Sequence, residues 1–167
     1  SLHEEDFEIV NEIYGAIRIV ASDIEANKDI RGGALVNIEH HIEKGVSKLH
    51  GDRRMFKQIL LNLLSNASKF TYAGEITLHA FTNAKNDFVL EVKDSGIGIK
   101  QDDLSKLVVE FGQVGDGYSR GKRQGSGLGL FLVKKMAELH GGSFEISSIY
   151  GQGTVVRVIL PHSRIIN

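Results

Sequence analysis

Asp94-Ser95-Gly96-Ile97-Gly98-Ile99 and Gly125-Ser126-Gly127-Leu128-Gly129-Leu130 bracket the stretch around which this chain is organised. The first hexapeptide follows an alternating strand pattern, and the second opens a helical one. Ordinary connections run about 4–6 residues, and structureless ones beyond about 12–15 are usually functional or disordered. Residues 95–125 therefore read as a ligand-covering lid between a strand end and a helix start.

Upstream of the lid, residues 75–82 and 87–94 read as an antiparallel pair joined by the turn Asn83-Ala84-Lys85-Asn86. Phe88, Leu90 and Val92 share one face of the second strand, and Asp94 falls on that face. A carboxylate at the mouth of an apolar face is costly unless something donates to it. Two roles stay open: Asp94 caps the next turn, a common job for Asp, or accepts from a ligand amino group such as the exocyclic amine of adenine.

Residues 52–69 predict a helix with Asp52 as N-cap. Phe56, Ile59, Leu60, Leu63, Leu64 and Ala67 form its apolar stripe. Gln58, Asn62, Asn66 and Lys69 run beside it. A solvated face is the plain alternative, but such faces favour Glu, Lys and Arg, and Asn is a poor helix former. The two asparagines read better as ligands, since an amide oxygen suits a hard cation such as Mg²⁺. Earlier still, Phe7, Ile9 and Val10 suggest a short strand or helix entry, and residues 8–26 a helix with Ile9, Ile13, Ile17, Val20 and Ile24 inward. Gly32-Gly33 is a break. Residues 34–42 suggest a strand, with Val46 to Leu49 as its short partner.

Within the lid, Asp102 to Glu110 suggests a short helix anchored by Leu104, Leu107 and Val108. Arg120, Lys122 and Arg123 adjoin the second glycine group. A charge cluster is usually solvated surface, but here it neighbours a helix start, where free N–H groups and cationic side chains favour phosphate. Residues 127–140 predict a helix with Leu128, Leu132, Val133, Met136 and Leu139 on its core face, stopped by Gly141-Gly142. Strands at 143–149 and 153–160 follow, joined by Gly151-Gln152-Gly153. The fold class expected is α+β, a two-layer sandwich whose mixed sheet is covered on one face by three helices. Thr77, His79, Glu91, Lys93, Glu145 and Arg157 predict a wet opposite face.

At 167 residues, 41% hydrophobic and 25% charged, the chain suits one globular domain, residues 1–167. A net charge of −1 argues against non-specific nucleic-acid or membrane binding. The absence of cysteine excludes disulfides and thiolate metal sites. No apolar run approaches the ~18 residues of a membrane span, and no signal-peptide pattern opens the chain. The expected location is cytoplasmic, with a membrane-bound parent allowed. The glycines read G-x-G-x-G, not the dinucleotide-binding G-x-G-x-x-G, and there is no G-x-x-x-x-G-K-[ST] loop or protein-kinase catalytic-loop motif.

The pieces resemble the catalytic ATP-binding domain of sensor histidine kinases, in the superfamily shared with gyrase, heat-shock chaperones and mismatch-repair ATPases. Gln58 through Thr71 resembles the N box, Asp94 through Ile99 the G1 box, Phe111-Gly112-Gln113 the end of the F box, Gly125 through Leu130 the G2 box, and Gly151 through Thr154 the final glycine motif. The resemblance covers nearly all of the chain. It implies ATP and Mg²⁺ as cofactors. Asp94 would bind the adenine amine, Phe70 would stack near the base, and Asn66 would ligate Mg²⁺. Asn62 and Lys69 would sit near the metal and phosphates, and with Asn66 form the catalytic set. Gly96 and Gly98 would let backbone approach the nucleotide, and the amides of Gly127, Leu128, Gly129 and Leu130 would hold phosphate. Arg123 and Ser126 would reach the phosphates, and Ile99, Phe111, Gly125 and Thr154 complete the nucleotide-binding set.

The implied function is presentation of the γ-phosphate to a histidine on a dimerisation domain, within two-component signalling. In the hydrolysing cousins a glutamate base lies four residues before the metal-binding asparagine; here Asn62 holds that place and cannot accept a proton. Fast hydrolysis is not expected, and an anti-sigma-type serine kinase, which keeps the acidic base, is disfavoured. The usual Phe-x-Pro-Phe of the F box reads Val108-Val109-Glu110-Phe111, which motivates an alternative: a catalytically silent nucleotide-binding regulatory module. None of His3, His40, His41, His50, His79, His140 or His162 has the phosphoacceptor context, so no self-phosphorylation is expected. Residues 1–7 read as a linker end. The expected partners are the parent's own dimerisation domain and, indirectly, a response-regulator receiver domain. Nucleic acid and direct membrane contact are not expected, and the isolated domain is expected to be a monomer.

Overall fold

The computed structural model describes residues 1–29, 32, 36–71, 73–110 and 126–167, with side chains left aside at 106–110 and 126–128. The strands are β1 (Glu4–Glu8), β2 (Val36–Ile42), β3 (Lys48–Asp52), β4 (Gly74–Thr82), β5 (Phe88–Asp94), β6 (Ser143–Ile149), β7 (Gly153–Leu160) and β8 (Ile165–Ile166). The helices are α1 (Ile9–Ala26), α2 (Arg53–Phe70), α3 (Gln101–Glu110) and α4 (Ser126–Leu139). Five strands form a mixed sheet in the order β2-β4-β5-β7-β6, with β2 parallel to β4 and the other neighbours antiparallel. A second, three-stranded sheet has the order β1-β3-β8.

The periodicities explain the layers. In α1, Ile9, Ile13, Ala16, Val20 and Ile24 are buried at helical spacing. The whole predicted stripe of α2 is buried, and Asp52 caps the helix by accepting from Met55 N at 3.1 Å, a contact worth about 1 kcal/mol. Phe56 links the two sheets, its ring 5.3 Å from that of Phe7 in β1 and 6.1 Å from that of Phe88 in β5. Helix α4 ends as its glycines predict: Gly141 N donates to Glu138 O and Gly142 N to Ala137 O, with Gly141 at φ +82. On the outer sheet face Arg157 pairs with Glu91 at 2.7 Å and Glu145 at 3.7 Å, and Lys93 is exposed.

Two expectations are corrected. Val46 to Leu49 does not pair with the strand before it. The short strand β3 pairs with β1 and β8, while β2 takes β4 as its parallel neighbour. The sequence offered only the nearest strand as a partner, whereas burial of Leu49 beside Phe7 decides the pairing. The core face of α4 is also rotated. Val133 and Met136 are buried as predicted, but Leu132 and Leu139 are exposed, and Leu130, Ala137 and His140 are buried in their place; the Leu128 side chain lies outside the described ones. Leucines lie on both sides of this helix, so periodicity alone could not choose between them. β8 was not anticipated, and residues 34 and 35 lie outside the described residues.

Candidate nucleotide site

The site begins at the last residue of β5. Ile76, Asp94 and Thr154 stand in register across β4, β5 and β7, and all three are buried. Asp94 therefore lies on the helix-covered face, only 6% exposed. Its Oδ1 accepts from Gly96 N at 2.9 Å, so the turn-capping role is present in the fold. Burial pushes the Asp94 carboxyl above the usual carboxylate range; the N–H groups of Gly96 and Thr154 and the Thr71 hydroxyl pull the other way without cancelling it.

The sign of this shift makes a prediction. A carboxyl whose pKa rises on folding binds its proton more tightly in the native state, so stability falls as pH rises from 3.8 through the raised native value. Asp94→Asn removes that titration. Denaturant melts across the acid range should show the wild type losing stability relative to Asp94→Asn as pH rises. A constant difference between the two would contradict the burial cost.

After Asp94 the chain is fastened to three elements. Ser95 N donates to Glu75 O at 3.1 Å, and Ile97 N donates to Phe70 O at 3.1 Å, at the end of α2. Gly151 N donates to Ile97 O at 2.6 Å, and Ile99 N to Ser148 Oγ at 2.7 Å, both on the β6–β7 hairpin. Ser148 Oγ also lies 2.8 Å from Thr154 Oγ1. Side chains cannot be added here. A Cβ on Gly96 would collide with Phe70 O, and one on Gly98, at φ +73, would collide with Ile149 O. These glycines admit a close approach of the chain to itself.

Helix α2 supplies the second half of the site. Gln58, Asn62, Asn66 and Lys69 recur at three- and four-residue steps and so share one side of the helix. Gln58 Nε2 donates to Asn62 Oδ1 at 3.2 Å. Asn62 Nδ2 is buried with no partner among the described residues, an arrangement that costs about 1–3 kcal/mol if left unfilled. Asn66 and Phe70 are half-buried and Lys69 is exposed. The hydrogen bond from Ile97 to Phe70 O brings the end of this helix to the Asp94 loop.

Helix α4 begins at Ser126, so Ser126, Gly127, Leu128 and Gly129 form its first turn, whose N–H groups lack intrahelical partners. A Cβ on Gly129 would meet nothing within 4 Å, and Leu130 is buried. Phe111, Arg120, Lys122, Arg123 and Gly125 lie outside the described residues. Two residues received no role from the sequence reading, although Thr71 closes the N-box stretch. Thr71, buried after α2, acts on Asp94, and Ser148 holds the root of the stretch after Asp94. One serine among the three of β6 carries no sequence signal of its own.

Residues 51–164 match the family described as Histidine kinase-, DNA gyrase B-, and HSP90-like ATPase. The chain is 42% identical over 126 residues to a sensor-like histidine kinase of Rhizobium meliloti (strain 1021), covering 75% of this chain and 24% of that protein. It is 38% identical over 165 residues to the histidine protein kinase DivJ of Caulobacter vibrioides, covering 96% of this chain and 26% of that protein. It thus spans about a quarter of the length of these relatives. Among solved structures, full-length ShkA in complex with AMPPNP superposes with a TM-score of 0.68 at 24% identity, over 96% of this chain and 32% of that one. No described helix is long and apolar enough to cross a membrane. The glycine-rich loop after β5, the asparagine helix beside it and the match over residues 51–164 agree: the chain belongs to the histidine kinase-, DNA gyrase B- and HSP90-like ATPase family.

Proposed function

We propose that the domain binds Mg-ATP and presents its γ-phosphoryl group to a histidine carried on a dimerisation domain of the longer protein. The observation that carries this reading is the pairing of a buried carboxylate, Asp94, with the asparagine face of α2. Asp94 is costly to bury, and an amino group donated by adenine would offset that cost. Asn62 Nδ2 is a buried donor without a partner among the described residues, which a phosphate oxygen would satisfy. The first turn of α4 presents N–H groups that lack intrahelical partners, which suits phosphate. The relatives named as histidine kinases support the choice of acceptor.

The donor set also fits magnesium. Among the described residues no group of three or more His, Asp or Glu could form a metal cage. A single neutral amide oxygen from Asn66 suits an ion that takes its remaining ligands from phosphates and water. Magnesium would supply charge neutralisation between the phosphates. The protein's own residues then bind, orient and exclude. Asp94 fixes the base, Phe70 flanks it, and Asn62 and Lys69 stand over the phosphates. Asn62, an amide, cannot take a proton from water, so hydrolysis stays slow. The acceptor histidine brings its own nucleophilic nitrogen, and positioning provides most of the acceleration.

Calorimetric titration with ADP, with and without magnesium, tests this reading. Saturable binding is expected, stronger with the metal. Asn66→Ala should lose about tenfold in affinity with magnesium, the weight of one good contact, and little without it. No heat and no saturation at millimolar nucleotide on folded protein would refute the proposal.

A further inference from the structure

His140, directly after α4, is 4% exposed and plays no part in the site described above. Its Nδ1 lies 2.8 Å from Met136 O, one turn back in α4. A carbonyl only accepts, so Nδ1 carries the proton and Nε2 is an acceptor. Nε2 receives Asp52 N at 3.0 Å. The ring lies against the backbone of β3, where a Cβ on Gly51 would approach its Cδ2 and Nε2 to 3.0 Å. Asp52 is the N-cap of α2. One imidazole therefore joins the start of α2 to the end of α4.

These are the two helices that carry Asn62, Asn66 and Lys69 on one side and the glycine-rich start on the other. At 1.5 Å per residue, the joint lies about 20 Å from Asn66 along α2 and about 20 Å from Gly127 along α4. It cannot touch a nucleotide, but it sets where both helices are anchored. The same joint is clamped by both ends of the chain. Arg164 Nε donates to His140 O at 2.7 Å, and its Nη1 donates to His50 O at 3.0 Å and Glu4 Oε1 at 2.8 Å. His3 N donates to Asp52 Oδ2 at 3.0 Å. His3, just before β1, thus bonds to the cap of α2, while Arg164 ties the C-terminal turn to His140, to β3 through His50 and to β1 through Glu4.

We propose that His140 is a positioning residue for the nucleotide site, fixing the spacing of α2 and α4 from their far ends and exposing that spacing to the seating of β1. The proposal rests on the nucleotide-binding reading, and its test separates the two. The chain has no cysteine, so spin labels can be placed at Lys57→Cys on α2 and Lys135→Cys on α4, both exposed. The distance distribution between them is measured without ligand in three backgrounds: His140, His140→Leu and His140→Gln. Gln can accept from Asp52 N; Leu leaves that N–H unpaired.

A narrow distribution is expected with His140 and with Gln, and a broadened or shifted one with Leu. Affinity for Mg-ADP should fall about tenfold in His140→Leu, as for one buried hydrogen bond transmitted to the site, and recover in His140→Gln. An unchanged distribution in His140→Leu overturns the proposal. So does a broadened distribution with unchanged Mg-ADP affinity. If the His140 protein itself takes no Mg-ADP, the functional reading fails, and the label distances still decide whether His140 sets the helix spacing. Should the Leu variant not fold, His140→Asn, which is too short to reach Asp52, is read by the same criteria.

Discussion

Asp94→Asn should raise the dissociation constant for Mg-ADP about 100-fold, the weight of a charge-assisted hydrogen bond together with the donor it leaves unpaired, while the melting temperature of the ligand-free protein stays level or rises. The two halves have one cause. The carboxylate is buried on the apolar face of β5 and its pKa is pushed up by that burial, so the empty fold bears a cost that an uncharged side chain does not. Asn keeps the shape and can still accept from Gly96 N. It cannot offer a charged acceptor to an amino group. Sites of function are where a fold tolerates such local cost. Thermal melts with and without Mg-ADP read both halves at once, because ligand shifts stability only through its affinity. A variant that melts lower without ligand, yet keeps its affinity, would refute the assignment.

Gly153→Ala should have the largest effect on stability, about 3 kcal/mol or more, from backbone strain added to a backbone collision. Gly153 has φ +134, and a Cβ there would run into the Asp94 carbonyl. Neither partner is a flexible side-chain end, so β5 and β7 must separate where they carry Asp94 and Thr154. For a domain of this size the melting temperature should drop by about 6–12 °C. Gly15→Ala is the control. Gly15 lies within α1 with nothing within 4 Å of an added Cβ, so alanine should be neutral or stabilise by about 0.5–1 kcal/mol through helix propensity. Equal losses in the two variants would show that the collision does not govern.

Much of this was legible in the residues because the signals were local. The stripe of α2 needs only its own spacing to be read, and Asp52 needs only its place before that stripe. The turn Asn83 to Asn86 was legible for the same reason: Asn83 Oδ1 accepts from Lys85 N and Asp87 N, while Asn86 adopts φ +66. Asp94 declared itself because an acid ending an apolar face breaks the alternation that precedes it.

What failed was the choice among equal options. Periodicity places Leu132 and Leu139 beside Val133 and Met136 on the buried side of α4, where Leu130 and Ala137 stand instead, and the apolar content is too even for periodicity to choose. The partner of β3 lies more than forty residues back, at β1, and at the far C-terminus, β8; no short-range pattern reports it.

The sequence by itself determined the main helices, the strands of the five-stranded sheet and the mixed sandwich, and it singled out Asp94, Asn62 and Asn66 as candidates, because each depends on chemistry within one strand or one helix turn. Tertiary structure alone decided why Gly96, Gly98 and Gly153 must be glycine, and that His140 ties the two site helices together. Those depend on backbone from Phe70, Ile149, Asp94 and Asp52 arriving from distant parts of the chain, and a close approach between remote segments has no signature in either segment alone.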